Sequence, residues 1–113
     1  MTINSIYNSH IQQNILYLMQ SGNSTFICLN DGAIIESELA IKKLLNELNM
    51  DAMFRLDRSI AINLTKIDKI KTGFVHKVIM ENGVEIEIPL FKRRQFNAKI
   101  ENLYTIKPHE IYN

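Results

Sequence analysis

The side chains that could carry chemistry in this 113-residue sequence are three histidines, one cysteine, a carboxylate pair and several cations. His10, His76 and His109 are far apart, and none sits in a metal-ligand spacing or beside a Cys/Asp cluster. His76 reads as a loop or strand-end residue, and His109 as part of a polar, disordered tail after Pro108. Cys28 is the only cysteine, which excludes an internal disulfide. The apolar run Phe26-Ile27-Cys28-Leu29 makes it a small core residue rather than a reactive thiol. Glu85 and Glu87 stand two apart, so a strand puts them on one face, and a solvated face explains them better than acid–base work. The four glycines are isolated, so no loop cradles a phosphate, and there is no nucleophile elbow. These residues predict no enzyme, no catalytic group, no metal and no cofactor.

The cations are more informative. In Phe54-Arg55-Leu56-Asp57-Arg58-Ser59-Ile60-Ala61-Ile62-Asn63, apolar strand-formers flank a charged knuckle. That pattern predicts a strand that leaves the core, shows Asp57 and Arg58, and returns. A second cluster, Lys92-Arg93-Arg94, opens a C-terminal helical segment. Cations there oppose the helix dipole at about 0.3–1 kcal/mol each when exposed, so a bound anion would relieve them. A tolerated run of solvated charge fits the cluster equally well. Net charge is +1, but residues 1–54 carry −3 and residues 55–113 carry +4. A basic face and a random scatter both satisfy that asymmetry.

The elements that must position these residues follow from hydrophobic periodicity. Residues 14–19 are an apolar strand, Ser21-Gly22-Asn23-Ser24 a turn, and residues 25–29 a second strand. Asn30-Asp31-Gly32 is a hairpin signal, with residues 33–36 returning. Ile41, Leu44, Leu45 and Leu48 form the stripe of an amphipathic helix, with Ser37 as its cap, Glu38 in its first turn and Asn49 as its stop. Ile67 and Ile70 anchor a turn into a strand, which Gly73 breaks. Residues 76–80 and 84–88 are strands joined at Asn82-Gly83. A two-residue turn there sets Ile79 opposite Ile86, with Val78 and Met80 facing glutamates, so either the second face meets another layer or the loop is longer. Pro89 ends the last strand, and Phe96, Ile100 and Leu103 are at helical spacing.

Hydrophobic content of 46% and charged content of 22% suit one globular domain. No apolar run approaches the roughly 20 residues of a membrane span, and no signal peptide is evident, which favours the cytoplasm. The chain divides into a linker or leading segment (1–13, with a weak first strand as the other reading), a domain (14–103) and a tail (104–113).

The central ten residues resemble the signature of LytTR-type DNA-binding domains, roughly Phe-x-Arg-Ile-His-Arg-Ser-Tyr-Ile-Val-Asn. The flanks agree: the strand at 14–19, the turn near Gly32, the Leu-rich helix, the Ile67/Ile70 pair, and Asn82-Gly83 followed by an alternating strand and Lys92-Arg93. The resemblance spans roughly residues 14–100. It implies a mainly β fold: an elongated stack of short antiparallel sheets, about ten strands, with one small helix and a C-terminal helical turn. It also implies a bacterial transcriptional regulator that binds double-stranded DNA by loops in successive major grooves. Such a domain stands alone or serves as the output domain of a two-component response regulator. A receiver domain and a dimer on direct-repeat sites are the further partners it allows.

Carried over by position, the DNA-binding residues are Asn23 and Ser24 in the first loop, Arg58 with Arg55 at the knuckle, and Lys92, Arg93 and Arg94 after the last strand. Asp57 replaces the family's usual His and is expected to orient Arg58 or Arg55. Asn63 is expected to bond the backbone of the bend, and for Ser59 that role and a DNA contact both stay open. The first loop, residues 20–24, has amides and hydroxyls but no cation. The rival reading is a protein-interaction module of the same fold without DNA binding, favoured by the small net charge and by Asp57.

Overall fold

The computed structural model describes residues 9–103 together with Ile111 and Tyr112. The expectations for residues 1–8, for His109 and for most of the tail lie outside the described residues. Two compact units divide the chain between Asn63 and Leu64. Nine strands among the described residues form two sheets, antiparallel except where β9 meets β6, so the expected mainly β fold is found.

The first unit begins with α1 (Ser9–Gln12), where the sequence suggested a leading segment or weak strand. Its Ile11 packs on the core. The strands β1 (Ile15–Ser21), β2 (Ser24–Leu29), β3 (Ile34–Ser37), β4 (Met53–Arg55) and β5 (Ile60–Asn63) form a sheet in the order β3-β2-β1-β5-β4. The helix α2 (Ile41–Leu48) buries Ile41, Leu44 and Leu48, as its spacing predicted. These join Ile15, Leu18, Ile27, Leu29, Ile35 and Ala61 in one core. Ile15 and Leu18 are an odd number of residues apart, so strict alternation would put them on opposite faces. A bulge resolves this: Ile15 pairs with Leu29 and Tyr17 with Cys28, two steps on β1 for one on β2.

Asn49 stops α2 in the left-handed conformation, φ 49°, with its amide donating to Leu45. The N-terminal expectation needs correction. Ala40 is the N-cap and makes no side-chain capping bond. The Ser37 hydroxyl instead accepts from the Leu39 amide at 3.1 Å, within the turn that precedes the helix. Glu38 therefore lies ahead of the first turn. The Ile41 amide donates across the unit to Gln20 Oε1 at 3.0 Å, so a β1 side chain caps the helix.

In the second unit a 3-10 turn at Leu64–Lys66 leads into β6 (Ile67–Lys71), followed by β7 (Lys77–Met80) and β8 (Glu85–Glu87). The two-residue β9 (Ile111–Tyr112) runs parallel to β6. A bulge at Asp68 sets Ile67 opposite Met80 and Ile70 opposite Val78, which brings the two isoleucines to one face. The β7–β8 register settles the alternative left by the sequence. Val78 faces Ile86 and Ile79 faces Glu85, and the Met80 amide donates to Val84 at 2.9 Å. Residues 81–83 thus form a three-residue loop, with Gly83 at φ 87°. One extra residue moves the whole register, so Val78, Met80 and Ile86 share the buried side. Glu85 and Glu87 are exposed, with Glu85 3.8 Å from Lys77 and 4.0 Å from Lys71. After Pro89 a 3-10 turn (Leu90–Lys92) runs into α3 (Arg93–Leu103), which buries Phe96 and Ile100 as their helical spacing predicted.

Candidate nucleic-acid interface

The sequence places two groups of candidate residues in the first unit, and the sheet brings them to one end. β1 runs antiparallel to both β2 and β5, with Met19 opposite Ile60. The β1–β2 turn and the β4–β5 knuckle therefore leave the same edge of the sheet. The Gln20 amide donates to the Ser59 carbonyl at 2.8 Å and ties the two together. By strand spacing they lie roughly 5–10 Å apart.

The knuckle is built from its own side chains. Leu56 is buried and anchors it. Asp57 Oδ1 accepts three bonds, from the Ser59 amide at 2.8 Å, the Ile60 amide at 3.0 Å and the Ser59 hydroxyl at 3.1 Å. This corrects the expectation that Asp57 orients an arginine: a carboxylate two residues before free amides closes an Asx turn instead. The Ser59 hydroxyl bonds this carboxylate rather than the backbone. Arg55 is half-buried, and it donates from Nε to the Asp57 carbonyl and from Nη2 to the Arg58 carbonyl, each at 2.9 Å. Arg58 is exposed, and its guanidinium has no hydrogen-bond or ion-pair partner among the described residues. Of the two arginines, one holds the loop and the other projects from it.

Asn63 closes the far end of β5. It is buried, and its Nδ2 donates to the Ile15 carbonyl at 2.8 Å, the structural role expected of it.

The first loop is tighter than the five-residue segment suggested. Gln20 pairs with Thr25 and Ser21 with Ser24, which leaves only Gly22-Asn23 to turn the chain. Gly22 has φ 61°, the positive angle a two-residue hairpin needs at its first position. Asn23 is exposed at the tip. Ser24 is half-buried, and its hydroxyl donates to Glu36 on β3 at 2.8 Å, so an acid stands beside it. Gln20 is the residue that sequence reasoning undervalued. Its main chain holds the knuckle and its side chain caps α2. Both bonds join residues about 20 or more apart in sequence, and no local pattern signals them.

Cys28 lies on the sheet face away from the α2 core, half-buried opposite Tyr17. Burial pushes its thiol pKa up, and a bond from Tyr17 only partly offsets this. A raised thiol is a poor nucleophile at neutral pH.

The second unit carries the other cluster. Lys92 is half-buried, with its Nζ 3.4 Å from Gln95 Oε1, and Arg94 is exposed. Arg93 is half-buried; its Nη2 donates to the Phe74 carbonyl at 3.2 Å, and its Nε is buried without a partner. The loop before β7 and the turn before α3 therefore meet through Arg93. The Ile88 amide donates to the His76 carbonyl at 2.8 Å and closes the same junction. His76 is held below the ordinary histidine pKa, first by desolvation and then by the Arg93 charge. The three cations thus divide: Lys92 and Arg94 reach outward, and Arg93 braces a loop.

No group of three or more His, Cys, Asp or Glu that could hold a metal stands among the described residues. No helix among them is long and apolar enough to cross a membrane.

A family model described as the LytTr DNA-binding domain matches residues 6–101. Among solved structures, the chain is similar to the LytTr DNA-binding domain of a protein from Bacillus cereus described as a methyl-accepting/DNA response regulator. The TM-score is 0.67 at 18% sequence identity, over 78% of this chain and 82% of that one. At that identity the likeness is one of fold. No curated protein matches.

Proposed function

This chain belongs to the family of LytTR DNA-binding domains, and on that premise we propose that it binds double-stranded DNA sequence-specifically as a transcriptional regulator. The family is one of DNA-binding domains rather than of catalysts. The observation that carries the reading is Arg58: an exposed guanidinium at the tip of a loop whose backbone Arg55 and Asp57 hold fixed. A bidentate guanidinium matches guanine O6 and N7 in the major groove. Asn23, at the same end of the sheet, offers an amide suited to adenine. Acids Asp57 and Glu36 stand at this end, so long-range attraction there is weak and short-range base reading is the better role. Ser24 contributes through Asn23's turn.

Lys92 and Arg94 supply phosphate contacts, with Arg93 setting their loop. Contact is by loop ends in successive major grooves, not by a recognition helix. The domain acts in the cytoplasm over residues 14–103, alone or joined to a receiver, and pairs on direct repeats.

The test is selection of duplexes from a randomised pool by the purified chain, followed by titration of the selected duplex across salt. Recovery of one repeated motif with a steep salt slope supports the reading. Absence of enrichment from a folded sample overturns it in favour of a protein-interaction module.

A further inference from the structure

The second unit exposes large apolar side chains where its cations lie. Phe74 is 99% exposed, Phe91 75% and Leu90 74%. Exposed aromatics are common singly, but these share one junction. Phe74 follows Gly73, whose φ of 123° turns the loop, and its carbonyl is gripped by Arg93. Leu90 and Phe91 occupy the 3-10 turn immediately before Arg93. The loop is braced from both sides, by Arg93 at Phe74 and by Ile88 at His76. A fully solvated Phe on a braced loop, next to Lys92 and Arg94, is arranged to meet something apolar within a polyanion. Duplex DNA has that character: phosphates outside, stacked bases within.

We propose that Phe74, with Phe91 as a second apolar contact, is a wedge that inserts against a base step of the bound duplex, while Lys92 and Arg94 hold the flanking phosphates. Charge favours this occupant over a protein. The turn and helix start at residues 90–94 carry three cations and no acid, and the first turn of α3 has none. Insertion at a pyrimidine–purine step unstacks it and bends the duplex. The braced loop keeps the ring exposed without the aid of a partner, so little ordering remains when DNA arrives. The wedge rests on the DNA-binding reading but is independent of Arg58 and its base contacts.

The experiment uses the full chain and a duplex selected as above, labelled at both ends for energy transfer and carrying 2-aminopurine at successive steps. Wild type is expected to shorten the end-to-end distance and to brighten 2-aminopurine at one step. Phe74→Ala should abolish the brightening, reduce the bend and weaken binding by roughly tenfold, with the salt slope unchanged. Phe74→Leu, which restores apolar bulk, should recover most of the bend. A duplex that is bound but neither bent nor unstacked overturns the wedge and leaves the DNA-binding reading standing. A chain that binds no duplex overturns both. Concentration-dependent self-association that Phe74→Ala removes, with DNA binding untouched, assigns the surface to a second copy and likewise overturns the wedge.

Discussion

The guanidinium of Arg55 donates to the main-chain carbonyl of Arg58 at 2.9 Å, so one arginine fixes the backbone from which the other projects. The two residues are three apart and carry the same charge, yet their tasks are opposite. Arg55 satisfies carbonyls that a tight turn leaves without partners, and Arg58 remains available.

This separation predicts different mutant behaviour. Arg58→Ala should reduce affinity for the selected duplex by about 1–3 kcal/mol and relax the preference at one base pair. Arg55→Ala should weaken binding while leaving the preferred sequence unchanged, and should speed hydrogen exchange at the Ser59 and Ile60 amides. Competition binding against single-base variants, with exchange measured in parallel, separates the two. An unchanged preference in Arg58→Ala removes its reading role.

Lys92→Ala with Arg94→Ala should lower affinity on all sequences alike. If each cation neutralises one phosphate, the log–log salt slope should flatten by about 1.8. An unchanged slope places neither cation at a phosphate.

Gln20→Ala should destabilise the first unit by about 0.5–2 kcal/mol, the cost of losing a helix cap. The Ile41 amide would lose its acceptor. Urea unfolding measures the loss, and Gln20→Glu, which keeps the acceptor oxygen and adds a charge favourable at a helix N-terminus, should recover it. Retained stability in Gln20→Ala would mean that water serves the amide as well.

His76 gives a pH dependence of definite sign. Its folded-state pKa is depressed, by desolvation and then by Arg93. The unfolded chain therefore takes up the proton first as pH falls. The contribution to stability is full above the ordinary histidine pKa and is lost as pH drops through it toward the folded value. Thermal unfolding at pH 5.5 and 7.5 should show a smaller difference for His76→Gln than for wild type.

Local periodicity sufficed for the helix at residues 41–48, for the strands β1–β3 and β6–β8 and for the stop at Asn49, whereas β9 lies in a stretch that reads only as a tail. The knuckle was equally legible, since apolar residues on both sides of Asp57-Arg58-Ser59 require an excursion from the sheet and back. The Ile67/Ile70 pair announced a turn into a strand, and only the strand pairing showed the bulge at Asp68 that brings both to one face. What the sequence left open was parity. Asn82-Gly83 marks a turn, but only the three-residue loop decides that Val78 rather than Ile79 faces Ile86. Roles that depend on distant partners were not legible at all. Ser37 has a cap's identity, yet Gln20 holds the helix; Asp57 has a charge suited to arginine, yet it closes the turn. Arg93 looks like its neighbours, yet it braces the Phe74 loop from 19 residues away. A sequence displays propensity and period because these act over a few residues. Hydrogen-bond partners are chosen by which groups folding brings within 3 Å of one another, and only the tertiary structure decides that.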